Sequence, residues 1–393
     1  MLGQGLTIPT LAARQAAGGL EFNFIAGRYL VQGGGFSTFV GTSGVSFARA
    51  SSGLAETASG VLVPFGSGLP RLTDRGLLIE EARTNKVTIY NANPVDLTGV
   101  TRSGDAASTL SLVSDAAALA AAGLASVVTG GQVFKLDNSA GVTTAFATFS
   151  GATGNTNPHR ATLYVRGGTG VVAMAGSGSA AFSASAGYVR RETAMTPDTA
   201  ARTFYVRADA GQVVHFILPM LEEGGFATSP IVTQGAATTR AADVCSVSGL
   251  ATLLVAPYAV VAHADLPSAD GVNRRLATIN ALGSETGRIS LVRDGSNQAG
   301  ASPNPGNPSV VTGKTGARIL RIAAQVGADK ARAAVDGVLA ADPAALSLGT
   351  GQDRIALGSA ATGAASWLGG YLQSVRIAPG VMLDADLTAA SVA

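Results

Sequence analysis

Two separate segments of the chain repeat the same five-residue pattern. Thr162-Leu163-Tyr164-Val165-Arg166 and Thr203-Phe204-Tyr205-Val206-Arg207 both alternate, with Leu or Phe and Val on one side of an extended strand and Thr, Tyr and Arg on the other. If Tyr164, Arg166, Tyr205 and Arg207 project from one face, their rings suit the C–H faces of sugars and their guanidinium forks suit carboxylates. That is the chemistry of holding an acidic polysaccharide. Near the end of the chain Trp367, the only tryptophan, and Tyr371 four residues on offer a second aromatic platform. The loop groups Asp270, Asn273, Asp294 and Asn297 offer oxygens to sugar hydroxyls or to a structural calcium ion. Each candidate also has a plainer reading: Arg packed over Tyr on a solvated face, Trp in a core, Asp and Asn in ordinary turns.

Catalytic patterns are sparse. Glu80-Glu81 is a carboxylate pair, but neighbours on a strand point to opposite faces and do not flank one scissile bond. The histidines, His159, His215 and His263, lie far apart, and there is neither a Gly-x-Ser-x-Gly elbow nor a His-Glu-x-x-His. His159, in Thr156-Asn157-Pro158-His159-Arg160, reads as a loop residue able to cap a turn or contact ligand. Gly313-Lys314-Thr315 ends like a P-loop, yet Pro308 stands where the first Gly of that pattern belongs. The expectation is a protein that is not an enzyme, has no catalytic residues and needs no cofactor, structural calcium apart.

The elements that must position these groups are strands. In 393 residues, 13% are charged and 51 are Gly, a composition of short strands and tight turns. With 47% hydrophobic residues the chain can bury cores. Lys+Arg 27 against Asp+Glu 25 gives too little field for a nucleic-acid or anionic-membrane binder, and no run approaches the length of a membrane span. Cys245 is the single cysteine, so no internal disulfide is expected. The opening MLGQGLTIPTLAAR lacks the pattern of a secretory signal. The protein is therefore expected to be made in the bacterial cytoplasm and to leave by a route such as lysis.

The expected class is all-β: two antiparallel sandwiches of jelly-roll or lectin type after an N-terminal arm and a small β region. Residues 1–90 read as the arm and small region, 91–233 as the first sandwich, 234–246 as a linker without periodicity, and 247–393 as the second sandwich. Strands are expected at 162–166, 188–190, 203–207 and 213–218, then at 252–255, 258–261, 288–292, 319–322, 354–359 and 367–377. Asp115 to Gly123 has the Ala content, N-cap and closing Gly of a short helix. Asp336-Gly337 between two apolar triplets predicts a hairpin with a primed turn.

Several phrases carry a resemblance: GLLIEEARTN (76–85), KLDNSAGV (135–142), SGATGNTNPH (150–159), LPMLEEGGFATSPIVTQGAATTRAADV (218–244) and the closing VDGV, IALGSA and WLGGYLQSVRI. Together they resemble phage and prophage fibre proteins, including the head-spike fibres of phage-like gene transfer agents, over most of the chain from about Ser46. The resemblance implies a carbohydrate-binding-module-like jelly roll followed by a laminin-G or concanavalin-like lectin sandwich. It implies an N-terminal arm docked on a capsid-vertex, spike-base or tail protein, and a homo-oligomer (trimer or pentamer) on the particle surface. The implied ligand is bacterial capsular polysaccharide or another surface glycan. A decoration protein without ligand and a glycan-degrading tail spike are the competing classes.

Overall fold

The computed structural model describes residues 18–392, apart from 33, 37, 175–177, 267–271, 282–283, 297, 305–307, 313–317, 349 and 361–365. The fold is all-β, as expected, with nearly every element paired antiparallel. The chain forms two compact units that interleave along the sequence: residues 1–49, 68–81 and 242–393 make one, and residues 50–67 and 82–241 make the other. They are called here the C-terminal and the central unit.

The C-terminal unit stacks an eleven-stranded sheet on a seven-stranded one. Its core is the apolar layer between them, including Phe22, Phe39, Val260, Ile322, Leu276, Leu357 and Ile377. Residues expected in the N-terminal region are built into both sheets. Leu20–Asn23 pairs with Gly370–Pro379, with Phe22 opposite Val375, and Gly76–Ile79 lies along the same strand. Val45–Ala48 pairs with Val244–Val247. The division therefore differs from the expected one, because these pairings are between residues hundreds of positions apart. The stretch expected to be a linker contributes two strands, Thr238–Arg240 and Val244–Val247.

Local signals fared well where the local chain decides. Asp336 and Gly337 both take positive φ, +46° and +79°, and Val335 faces Val338 across the turn, as a primed hairpin requires. The expected strand at 252–255 is instead a turn: the N–H groups of Leu253 and Leu254 both bond the Leu250 carbonyl, 2.9 Å each. That is a single helical winding in which Leu250, Leu253 and Leu254 are buried, and a short apolar run does not distinguish it from a strand.

The most charge-dense segment is structural. Arg71 donates to Glu80 at 2.7 Å and to Asp243, Arg49 donates to Asp243 at 3.0 Å, and the side chains are sealed from solvent. Burial works against the Arg71 charge, but Glu80 and Asp243 outweigh it and raise its pKa. Asp243 also accepts the Glu80 backbone N–H at 2.9 Å.

The central unit is a jelly-roll-like sandwich of two five-stranded sheets. The first sheet runs, in spatial order, Val100–Gly104, Ala145–Phe149, Phe204–Ala208, Gly170–Met174 and Gly178–Phe182. The second runs Thr109–Ser114, Gln132–Asp137, Val213–Glu223, His159–Gly167 and Ser185–Met195. Between them Phe134 stacks on Phe216 at 5.3 Å, and Phe149 meets Phe204 at 4.6 Å. The helix spans Ala116–Ala121 at the expected place. Asp115 does not cap it with its side chain, because that carboxylate is engaged elsewhere.

The phrase from Leu218 serves the same unit as far as Ala241. Asn85 and Asn91, both fully buried, each donate to the carbonyls of Pro219 and Ile231, at 2.9 to 3.3 Å. Glu222 accepts the backbone N–H and the hydroxyl of Thr228 at 2.7 Å each. These groups brace the chain as it leaves the long Val213–Glu223 strand.

Candidate functional site

Each sheet of the central unit has an inner face in the core and an outer face, and the four expected Tyr and Arg residues divide between the two outer faces. Tyr205 and Arg207 lie on Phe204–Ala208 in the first sheet, and Tyr164 and Arg166 lie on His159–Gly167 in the second. The expected single ladder is therefore corrected to two unlike faces. The echo in sequence marks the shared alternation of two strands, which period alone cannot assign to one sheet.

On the first sheet, Phe204, Val206 and Ala208 are buried inward and Tyr205 and Arg207 stand half-exposed outward. Register puts Thr101, Thr148, Tyr205, Ala173 and Ser179 in one cross-strand row and Ser103, Phe146, Arg207, Val171 and Ala181 in the next. Phe146 and Tyr205 meet edge to face, centroids 5.3 Å apart, a preferred aromatic geometry. Beyond them the rows run on through Val171, Ala173, Ser179 and Ala181, of which Ala173 is buried. Arg207 is steadied by Asp209 at 3.0 Å, which also accepts the Thr169 hydroxyl at 2.8 Å. The face combines an aromatic edge, a guanidinium and the hydroxyls of Thr101, Ser103, Thr148 and Ser179. Phe146 was missed in the sequence; its alternation with Ala145, Ala147 and Phe149 was the available signal.

The second sheet explains why Tyr164 fails as a platform. One half of its outer face lies under an apolar cover: Leu54 and Leu62, together with Leu119, Leu124 and Val127, join Tyr164, Val133 and Ile217 in the core cluster. Tyr164 is buried, and that burial pushes its hydroxyl up to about 12. The other half of the face is open and polar. There Arg166 Nε donates to Asp115 at 2.6 Å, Tyr188 donates to the same oxygen at 2.6 Å, and the guanidinium leans over the Tyr188 ring at 5.6 Å. Burial works against the ionised Asp115, but the bonds from Arg166 and Tyr188 win and hold its carboxyl below the usual range.

The candidates of the C-terminal unit are occupied by structure. Trp367 is partly buried and packed against the core. Tyr371 is buried, with the Arg75 guanidinium 4.1 Å above its ring and Arg75 in turn held by Asp265 at 2.7 Å. Asp294 Oδ1 accepts the N–H groups of Ser296 and Gln298 at 2.9 Å each, and Asn273 accepts the Gly295 N–H at 2.9 Å. Those oxygens serve turns. Asp270, Asn297 and Gly313-Lys314-Thr315 lie outside the described residues.

The histidines are likewise placed. His159 is buried, with Nδ1 2.6 Å from the Asn157 carbonyl and Nε2 3.2 Å from that of Thr153, so it ties down its own turn. Burial lowers the pKa of His215 and brings that of His263 down to about 4. Glu80 and Glu81 do not act as a pair: Glu80 is buried on Arg71.

No protein-family model and no curated protein sequence matches the chain. Among solved structures, the chain is similar to the Ruminococcus gnavus IT-sialidase CBM40 bound to alpha2,3 sialyllactose, at 15% identity and TM-score 0.27, over 34% of this chain and 82% of that one. It is similar to domain 4 of AbnA, a GH43 extracellular arabinanase from Geobacillus stearothermophilus in complex with arabinotriose, at 16% identity and TM-score 0.27, over 43% and 82%. It is also similar to Trypanosoma rangeli sialidase in complex with sialic acid, at 9% identity and TM-score 0.29, over 72% of this chain and 52% of that one.

Proposed function

We propose that the protein is a non-enzymatic glycan-binding fibre or spike of a phage or phage-like gene transfer agent, and that its central unit holds bacterial surface polysaccharide. The observation that carries the binding reading is the half-exposed Phe146 and Tyr205 edge beside Arg207 and a row of hydroxyls. Rings of this kind cover the C–H face of a sugar while the polar groups reach its hydroxyls. The particle setting rests on the fibre-like phrases of the sequence. One such face binds weakly, and several copies on a homo-oligomeric particle protein turn weak sites into useful adhesion. Residues 1–17 of the N-terminal arm that would dock on a capsid-vertex, spike-base or tail protein lie outside the described residues.

The test is adsorption of the labelled full chain to capsulated and capsule-free host cells, with product analysis of the isolated polysaccharide. Capsule-dependent adsorption without released oligosaccharide is expected, and Tyr205→Ala should weaken it about tenfold, the scale of losing one aromatic contact. Adsorption indifferent to the capsule, or to Tyr205, defeats the reading. Released oligosaccharides would make the protein a glycan-degrading spike.

A further inference from the structure

The open half of the second sheet carries a row that the aromatic face lacks. Direct cross-strand pairing sets Ser111 opposite Lys135, Lys135 opposite His215 and His215 opposite Arg166. Four neighbouring strands thus line up four polar side chains, a span of about 14 Å at the usual strand spacing. Their alternation partners Leu110, Leu112, Phe134, Leu136, Val214, Phe216 and Val165 face the sandwich interior, so the row points outward. It is half-buried, with Lys135 and Arg166 side chains 29% and 24% exposed.

The hydrogen-bond inventory of this row is lopsided. The nearby acceptors are largely spent: Asp137 takes Lys135 at 2.8 Å on one oxygen and the Ser139 N–H and hydroxyl on the other, at 3.1 and 2.6 Å. One oxygen of Asp115 takes both Arg166 and Tyr188. The donors are not spent. Lys135 has three N–H groups and Arg166 five, with no acceptor on either. Arg166 uses its inner nitrogen on Asp115 and reaches no second carboxylate among the described residues. His215 Nδ1 is shielded from solvent and has no hydrogen-bond partner among the described residues, an uncompensated polar atom at the centre of the row.

The geometry points to a second binding site here, formed by Ser111, Lys135, His215 and Arg166, for a carboxylate-bearing glycan strand. An ionised carboxylate is acceptor-only and complements the surplus N–H groups and positive charges of Lys135 and Arg166, which a neutral sugar hydroxyl meets without a counter-charge. The Arg166 fork suits a planar carboxylate better than a point charge does. The two carboxylates behind the row offset the charges of Lys135 and Arg166. Recognition is therefore by directed hydrogen bonds and not by a strong field, which disfavours nucleic acid.

The test uses the full chain with galacturonate and polygalacturonate as probes, and galactose, methyl-esterified polygalacturonate, dextran sulfate and single-stranded DNA as controls. Binding is read by affinity and by the His215 ring resonances. Galacturonate and polygalacturonate should shift those resonances, and esterification should weaken binding at least tenfold. His215→Gln and Arg166→Lys should each weaken polygalacturonate binding severalfold with an unchanged melting temperature, while Tyr205→Ala leaves it intact. Because Tyr205 is the probe of the aromatic face, this site and the proposed adsorption function can fail separately. Equal binding of ester and acid, preference for DNA or dextran sulfate, or no His215 response to millimolar galacturonate overturns the assignment.

Discussion

The C-terminal and central units each contain a cluster of Arg with acidic partners, and the two clusters do opposite work. In the C-terminal unit Arg49, Arg71, Glu80 and Asp243 are sealed, and the paired groups bond chiefly to one another. In the central unit Asp115, Arg166, Lys135 and Asp137 remain between 11% and 29% exposed, and donors are left over beside them. Arg71 and Glu80 lie in a charge-dense stretch of the sequence, residues 71–85, yet their cluster is the structural one. What separates a strut from a site is unspent hydrogen-bonding capacity at a surface that a ligand can reach.

The sharpest way to break that comparison is to remove one charge from the sealed cluster. Asp243→Asn keeps the shape but leaves Arg49 and Arg71 short of a counter-charge in a medium that cannot solvate them, and it should cost about 3–5 kcal/mol. Denaturant unfolding of the variant measures this. A loss near that of an exposed pair, under about 1 kcal/mol, would mean that the cluster is wet and the contrast false.

A smaller effect concerns His263, one of the two half-buried histidines. Burial, with Arg321 and Arg376 nearby, brings His263 down to about 4, against about 6.5 in an unfolded chain. The native state therefore prefers the neutral ring. The stabilisation is complete above pH 6.5, declines as the unfolded state takes up a proton, and is gone below about pH 4, a total on the order of 3 kcal/mol. The groups facing His263 include Arg321, Arg376, Asp336 and the Ala390 backbone. Urea midpoints at pH 7, 5.5 and 4 should fall for the wild type and fall less for His263→Gln. Parallel curves would show that another group controls acid stability.

The same contrast governs how much was legible in the sequence. Alternation in Phe204–Ala208 was readable because its outer face stays half-exposed, so period 2 shows in both composition and burial. The identical alternation in His159–Gly167 misplaced Tyr164, since the apolar cover over that strand comes from residues 53–65 and 119–127, which no local pattern connects to it. The helix at 116–121 and the Asp336-Gly337 turn were legible because capping and positive φ are decided within a few residues. The strands at 20–23, 45–48 and 76–79 were not assigned to a sandwich, because their partners lie far along the chain. Of the site, residue types were readable but sheet membership was not, and so Lys135 and His215 emerged only through register.

The smallest predicted stability effect comes with a gain in binding. Asp115→Asn mirrors Asp243→Asn chemically: an oxygen remains to accept from Arg166 and Tyr188, and one negative charge is removed. Because Arg166 keeps access to water, the cost in stability should stay under about 1 kcal/mol, within one or two degrees to a few degrees of melting temperature for a unit of this size. Losing that charge also leaves the Lys135, His215 and Arg166 row with a net positive charge. Polygalacturonate should therefore bind severalfold more tightly to Asp115→Asn than to the wild type, and added salt should erase the gain as it screens the new charge. A removed carboxylate would thus destabilise one unit and sharpen binding by the other. If Asp115→Asn instead lowers both stability by several kcal/mol and binding, Arg166 is a strut like Arg71, and its exposed edge has no ligand to serve.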